Sequence, residues 1–233
     1  REHMPAVGMT DTGNLFGALE FSTICATKGV QPIVGCQIAL ANSDTAKNSG
    51  HGAPDQLVLL VQDENGYSNI LKLVSSAFLD SENGQVPQID IQMLAQKNSG
   101  LIALTGGVMG PVGRRLANGQ AEAAESCLLE LHEVFQDRLY VELMRHQLPV
   151  EDEIEPALLA LADRHKLPLV ATNEAFFSDQ SMFDAHDALL CIAEGVTVGQ
   201  TDRRRVTPGH YFKSAAEMRA IFEDIPEAIT NTL

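Results

Sequence analysis

Two groups of residues in this 233-residue sequence could do chemistry by type alone, and the first is a set of four cysteines. Cys25, Cys36, Cys127 and Cys191 are scattered along the chain without CxxC spacing. This pattern argues against a zinc ribbon and against a disulfide framework. We therefore interpret the cysteines as reduced and mostly buried thiols.

The second group is the one dense basic run, Arg203-Arg204-Arg205. Such a run can contact DNA or an acidic partner, but short charge runs are more often solvated loops. The formal charge of the chain is −15, and so acidic a surface repels a phosphate backbone instead of releasing its counterions. We interpret the run as a solvated loop and expect DNA contacts to come from another part of a larger protein.

The elements that would position functional residues follow from hydrophobic patterning. Short apolar runs alternate with longer amphipathic stretches, which is typical of βα units around a parallel sheet or barrel, and six strands with intervening helices favour the barrel. The predicted strands are 5–9, 32–40, 57–62, 101–105, 139–144 and 167–172. The predicted helices are 15–27, 66–79, 121–135, 151–165 and 179–193, followed by the short helical patterns 215–222 and 226–232. The polar segments 42–54 and 195–209 are predicted loops.

The location of the protein is indicated by what the sequence lacks. No apolar run approaches the roughly 20 residues that a membrane-spanning helix needs. Nothing near the first residue resembles a basic and apolar secretion signal. We expect a soluble, cytoplasmic protein that makes no membrane contact.

A series of motifs then resembles a known family. The run 4–15, which contains Thr10-Asp11-Thr12-Gly13-Asn14, resembles the second strand and following turn of the PHP (polymerase and histidinol phosphatase) domain of bacterial polymerase III α subunits, where this motif is usually TDHGN. Further matches occur in the family's order at 31–36, 57–60, 65–70, 100–107, 139–146, 170–174, 185–192, 211–214 and 222–228. They cover essentially the whole chain, and together they are far more specific than any single motif.

The resemblance implies an α/β fold, a distorted (β/α)7 barrel formed by one PHP domain over residues 1–233. It also implies that the chain is N-terminally truncated, because the family's first strand and its His-x-His segment precede residue 1. The start at Arg1-Glu2-His3-Met4 resembles the tail of a helix. Residues 210–233 would lead toward the polymerase core.

The family's metal site is mostly degenerate in this sequence. In relatives that retain metal, His, Asp, Glu and Cys ligands at the barrel mouth hold a small metal cluster, which polarises a phosphate and lowers the pKa of bound water. The positions that match this site are Asp11, Thr12 in place of His, Gln37 in place of Glu, Gln56 in place of His, Gly107 in place of Cys, Glu174, which keeps an acid, and Phe176 in place of His. We expect all of them at the carboxyl ends of the strands, where barrel active sites lie.

The remaining candidate ligands are possible relics of that site. His146 and His186 are the two histidines among them, and Glu142 lies close to His146 in sequence. We interpret Asp11 as an organiser of the turn before Gly13, and His186 as a cap or hydrogen-bonding group of a helix. We expect no bound metal and no catalytic residue in this chain.

The function implied by the resemblance is that of a scaffold in DNA replication that docks the proofreading exonuclease subunit. Magnesium, DNA and the other holoenzyme subunits would be bound by absent regions, the first two by the polymerase core. One alternative is a residual metal-dependent phosphoesterase or pyrophosphatase. A free-standing histidinol-phosphate phosphatase is less favoured, because segments 211–214 and 222–228 resemble the polymerase branch.

Overall fold

The sheet is the first feature of the computed structural model, which describes residues 4–41, 54–81 and 86–232. Six strands follow one another across the sheet in chain order. They are β1 (Ala6–Thr12), β2 (Gln31–Leu40), β3 (Asp55–Val61), β4 (Leu101–Leu104), β5 (Leu139–Leu143) and β6 (Leu169–Ala171). Each of the six predicted apolar runs is therefore confirmed as a strand, with boundaries that differ by up to three residues.

The direction of β3 corrects the expectation of a parallel sheet. β1 pairs with β2 in parallel, and β4, β5 and β6 run parallel to one another, but β3 is antiparallel to both β2 and β4. A parallel neighbour needs a long crossover, usually a helix, and the polar link between β2 and β3 has no helical pattern. Most of that link, the loop predicted at 42–54, lies outside the described residues. The sheet is therefore mixed, and the start of β3 lies at the same edge as the ends of its neighbours.

Helices connect most of the strands. They are α1 (Ala18–Thr27), α2 (Glu64–Leu79), α3 (Ile91–Gln96), α4 (Pro111–Ala117), α5 (Ala121–Phe135), α6 (Pro149–His165), α7 (Phe183–Glu194), α8 (Ala215–Ile221) and α9 (Pro226–Thr230). Seven of them fall in predicted segments, although α7 starts later than predicted, after a 3-10 turn over Gln180–Met182. In the described ranges, no helix is long and apolar enough to cross a membrane.

Two helices, α3 and α4, were missed by the sequence patterns for different reasons. α3 has only six residues and is recognisable mainly from its N-cap, where the Asp90 carboxylate accepts from the Met93 backbone N–H at 2.7 Å. α4 lies in a glycine-rich segment that resembles a loop. The glycines there permit close approach: a Cβ on Gly113 would lie 2.1 Å from the Gly107 carbonyl oxygen. Glycine at 113 therefore lets α4 pack directly on the turn that follows β4.

The two faces of the sheet carry separate apolar clusters, because successive side chains of a strand point to opposite faces. The large core packs one face beneath the helices, and it includes Leu57 and Leu59 of β3. A smaller cluster on the other face is formed by Val58, Leu104 and Val170. Glu142 is the register partner of Val170 and so lies on that second face. The second face therefore carries both this small apolar cluster and the carboxyl group of Glu142.

Candidate functional site: a polar and aromatic cluster at one edge of the sheet

The positions that match the family's metal site lie along one edge of the sheet. Asp11 and Thr12 end β1, and Gln37 is opposite Thr12 in the register of β1 and β2. Gln56 is the second residue of β3, so the expectation that it ends a strand is wrong: because β3 is antiparallel, its amino end lies at this edge. Gly107 follows β4, and Glu174 and Phe176 follow β6. Their contacts, however, divide them into two groups.

The first group lies at the exposed end of β1. The Thr12 hydroxyl donates to Gln37 Oε1 at 2.7 Å. The turn that follows is held by Asn14, whose side-chain amide donates to the Thr12 carbonyl at 3.0 Å while its Oδ1 accepts from the Phe16 backbone N–H at 3.0 Å. Asn14, and not Asp11 as the sequence predicted, therefore organises this turn.

The second group is centred on Glu142, a buried carboxyl of β5. Its Oε1 accepts from the Thr172 hydroxyl at 2.7 Å, and its Oε2 accepts from the Gly106 backbone N–H at 2.8 Å. Burial raises the pKa of Glu142 to about 7, against the opposing effect of these two hydrogen bonds, and Glu174 raises it further. Near neutral pH this carboxyl therefore exchanges a proton inside the protein.

His146 is held beside this carboxyl by the first turn of α6. Its Nδ1 lies 2.8 Å from Glu151 Oε1, and its Nε2 accepts from the Glu174 backbone N–H at 3.1 Å. Because Nε2 is an acceptor, the ring proton is assigned to Nδ1, where it is donated to Glu151. Both nitrogens of His146 are thus occupied by protein partners.

Aromatic rings extend the cluster outward from His146. The His210 ring stacks on the His146 ring at a centroid distance of 4.2 Å. Phe176 stacks on His210 and on His186, at 5.5 Å in each case. Burial and the nearby His146 lower the pKa of His210 to about 4, so this ring is neutral at physiological pH. The sequence expectation of a cap for His186 is wrong in detail, since the residue lies inside α7 and contacts phenyl rings.

Residues 207–213, the crossing segment, carry His210 over this edge of the sheet. The Thr207 hydroxyl donates to the His146 carbonyl. The Phe176 backbone N–H donates to the His210 carbonyl at 2.9 Å. Lys213 is buried and donates to Asn173 Oδ1 at 2.8 Å, and burial lowers the pKa of its amine. Polar groups of the loop after β6 are thereby satisfied by the crossing segment.

Two buried donors beside this edge are consequently used within the protein. Glu142 has a partner on each oxygen, and His146 has a partner on each nitrogen. Across residues 4–41, 54–81 and 86–232, no three His, Cys, Asp or Glu side chains are grouped so that they could hold a metal ion. Chemically, the arrangement can bind and release a proton at Glu142 and can fix loops through hydrogen bonds.

The arginine run is partly a structural element, which corrects its interpretation as a solvated loop. The Arg203 side chain is fully buried and forms a two-pronged ion pair with Asp187 of α7 at 2.7 and 2.6 Å. Arg205 Nε lies 3.8 Å from the same carboxylate, while Arg204 is exposed. Of the four cysteines, Cys25, Cys36 and Cys191 are buried as expected and Cys127 is half-buried.

Three residues of the cluster were not singled out from the sequence: Glu151, Thr172 and His210. Glu151 is one of several acids in the first turn of an amphipathic helix, so its type and position suggest only favourable helix-dipole interactions. His210 adjoins the motif at 211–214, which is a usable signal. Its contact with His146, 64 positions away in sequence, has no local signature.

Comparisons with known proteins agree on one family. The sequence model of the PHP domain matches residues 1–146. Over 230 residues, or 99% of this chain, the sequence is 48% identical to the DNA polymerase III subunit alpha of Caulobacter vibrioides and 41% identical to that of Rickettsia bellii. Over 231 residues it is 37% identical to the DNA polymerase III subunit alpha of Escherichia coli. These alignments cover 20%, 19% and 20% of the relatives, so the chain spans about a fifth of their length.

Proposed function

Since this chain belongs to the PHP domain family, we propose that it acts in DNA replication as part of a polymerase III α subunit and serves there as a scaffold that docks the proofreading exonuclease. The near-complete alignment of the chain with α subunits from three bacteria supports the replication context. Polymerisation, magnesium and DNA binding belong in this proposal to parts of the subunit outside this chain, in the cytoplasm.

The observation that carries the scaffold proposal is that Glu142 and His146, the buried metal-ligand types beside the sheet edge that holds the family's positions, are engaged within the protein. The donor set does not fit the metal cluster that the family implies, because Thr12, Gln37, Gln56, Gly107 and Phe176 supply neither a carboxylate, an imidazole nor a thiolate. Of the candidate ligands that remain, Glu142 and His146 are already hydrogen-bonded, and Asp11 lies in the separate group at the end of β1. A hydrolase would need these groups to face substrate or metal.

The complete architecture is also part of the proposal. The described strands form a curled sheet whose outermost strands are β1 and β6. We assign this sheet to a distorted (β/α)7 barrel of PHP type. Its mouth would be the line of strand ends along which the family's metal-site positions lie. The crossing segment would then lie over the mouth and link it to α8 and α9.

A metal measurement tests the loss of the hydrolase site. The full-length α subunit and its Glu174→Gln variant are incubated with zinc or manganese, dialysed and subjected to elemental analysis. We expect the same metal content in both proteins and no phosphoesterase or pyrophosphatase activity that depends on Glu174. Two or more additional ions in the wild type, lost in the variant together with such an activity, would overturn the scaffold proposal in favour of the residual enzyme.

A binding measurement tests the docking role. Titration of the exonuclease subunit into the full-length α subunit should give saturable binding that tolerates moderate salt. Titration of duplex DNA into the isolated 233-residue chain, by contrast, should show weak binding that falls steeply with salt, because its charge of −15 opposes phosphate contacts. Tight DNA binding by the chain, without exonuclease association, would reject the assignment.

A further inference from the structure

We propose that residues 207–232, the strap, open and close as one cooperative unit and thereby couple two opposite edges of the sheet. One is the edge that carries the family's metal-site positions, the site edge. The strap consists of the crossing segment, α8 and α9. This inference goes beyond the proposed function and does not depend on exonuclease docking. It arises from the contacts of the strap, which begin beside His146 and end at the first residue of β6.

The strap follows β6 along its whole length. At the site edge the Thr207 hydroxyl donates to the His146 carbonyl, and the His210 ring stacks on the His146 ring. At the other end Asn231 Nδ2 donates to the carbonyl of Leu169 at 2.8 Å, and β6 begins at Leu169. Because β6 is parallel to β5 and runs toward the site edge, these two anchors lie at opposite edges of the sheet.

The first part of the strap is held by backbone pairing. The Phe176 N–H donates to the His210 carbonyl at 2.9 Å. The Phe212 N–H donates to the Phe177 carbonyl at the same distance, beside the parallel bridge between Phe177 and Tyr211. The crossing segment therefore pairs with the loop after β6 as a short additional strand. Isolated two-stranded pairings are marginally stable in water, so this contact depends on the rest of the strap.

The helices of the strap are too short to be stable alone. α8 has seven residues and α9 has five, whereas isolated helices shorter than about 12 residues are marginal in water. Every residue of α8 is described by the structure and is exposed or half-buried. Burial in the large core comes instead from Phe222, Ile225 and Ala228. Both helices therefore keep their structure only while these three side chains are docked.

One loop of the sheet holds both the beginning and the centre of the strap. Arg145, in the loop after β5, pairs with Asp224 at 2.7 and 2.8 Å and donates to the Ile221 carbonyl at 2.6 Å. Its guanidinium lies 4.7 Å from the centroid of the Phe222 ring. The next residue, His146, carries the contacts of the crossing segment. Displacement of this loop therefore loosens both parts of the strap at once.

The other end of the strap is only partly packed. α9 packs against β6, but an open groove of about 610 Å³ lies between α9 and the end of α6. Leu159, Leu167 and Ile225 are among the residues that line it. The large core, by contrast, includes residues of every strand from β2 to β6. The strap therefore opens at a lower free energy than the sheet, because the elements with the fewest buried contacts open first.

The cooperative opening of the strap has an effect at a distance. When the strap opens, the His210 ring leaves the His146 ring and α9 leaves the start of β6 in the same event. A change that displaces His210 at the site edge therefore also releases α9 at the opposite edge. The two edges are coupled because both depend on one local unfolding equilibrium.

Native-state hydrogen exchange of this chain in low concentrations of denaturant tests the coupling. The probes are the Phe212 and Ala228 amides, near the two ends of the strap, and the amides of β3 are the reference. Thr207→Val removes the hydroxyl contacts at the site edge, and Asn231→Ala removes the bond to Leu169. In the wild type, both probes should exchange faster than β3. We expect each substitution to accelerate both probes by the same factor, about threefold to tenfold.

The control is Asp63→Ala, which removes the hydrogen bond of the α2 N-cap to the Gly66 N–H at 2.8 Å. It should accelerate exchange in β3 and leave both probes unchanged, because the strap opens while the sheet stays folded. Acceleration of only the nearer probe by each strap substitution would show two independent contacts and would overturn the inference. Probes that exchange as slowly as β3 and respond equally to Asp63→Ala would show that the strap opens only with the whole chain, which would overturn it as well.

Discussion

Replacing Glu142 by glutamine should change how the stability of this chain depends on pH. The substitution keeps the shape of the side chain and removes its titration. The amide oxygen of glutamine can accept from the Gly106 N–H, and its NH₂ group can donate to the Thr172 hydroxyl, which then acts as acceptor. Both contacts of the native carboxyl are thereby retained in a neutral form.

The magnitude follows from the pKa of Glu142. In the folded protein the pKa of the Glu142 carboxyl is raised to about 7, compared with 4.5 for an ordinary glutamate. Because the folded pKa is raised, the stabilisation is fully present below pH 4.5 and is lost as the pH rises through 7. A shift of this size corresponds to about 3 kcal/mol. The free energy of unfolding of Glu142→Gln, minus that of the wild type, should therefore rise by about 3 kcal/mol between pH 4 and pH 8.

The assay is urea unfolding of both proteins at half-unit steps from pH 4 to pH 8.5. His210 titrates in the opposite sense: its lowered pKa gives stability that is present above pH 6.5 and is lost as the pH falls toward 4. This contribution occurs in both proteins and cancels in the difference. Glu130→Gln, on the exposed side of α5, controls for the general loss of a carboxylate. A difference that is flat with pH, or equal for both variants, would refute a buried, proton-binding Glu142.

Three further outcomes are expected. Arg145→Ala removes ion pairs with Glu155 and Asp224 and the contact of the guanidinium with the Phe222 ring. Backbone hydrogen exchange should therefore accelerate across 221–230 and remain unchanged in β2. Gly113→Ala places a methyl group against a backbone carbonyl and should lower the free energy of unfolding by about 1–3 kcal/mol in urea titration, and a wild-type midpoint would contradict the close approach. Phe176→His alone should not increase zinc content by elemental analysis, because both nitrogens of the neighbouring His146 are occupied and one added imidazole with Glu174 is fewer than the three protein ligands of a zinc site.

The sheet was largely predictable because buried strands have continuous apolar sequences. Leu57, Val58 and Leu59 are all buried and lie on alternating faces of the sheet, so this run is apolar on both faces. The direction of β3 was not predictable in the same way, since the burial pattern of a strand does not show whether the strand runs parallel or antiparallel to its neighbours. Helix α4 was obscured for the opposite reason: its glycines are required by packing and resemble a loop when considered alone.

The candidate site was predictable only where one residue or motif carries the signal. The family's positions along the sheet edge follow from motif order, and the structure places them along one edge. The roles of the side chains depend on long-range contacts that no local pattern encodes. His146 could be identified as a candidate relic, but its pairing with Glu151 and stacking on His210 result from the docking of α6 and of the crossing segment.

The order of the strands has a consequence for how the chain is made. Each strand from β2 to β6 of the described sheet pairs with the strand that precedes it in sequence, so the order across the sheet is the order of synthesis. During translation, each strand that leaves the ribosome finds its partner already present, and no strand must wait for a distant one or be inserted between two others. The unpaired edge then moves forward by one strand at a time, and it ends at β6, where Phe177 and Tyr211 form a parallel bridge beyond the last strand. The crossing segment bonds to the loop that follows β6, so we expect the His146–His210 stack to form together with that loop, after the last described strand has paired.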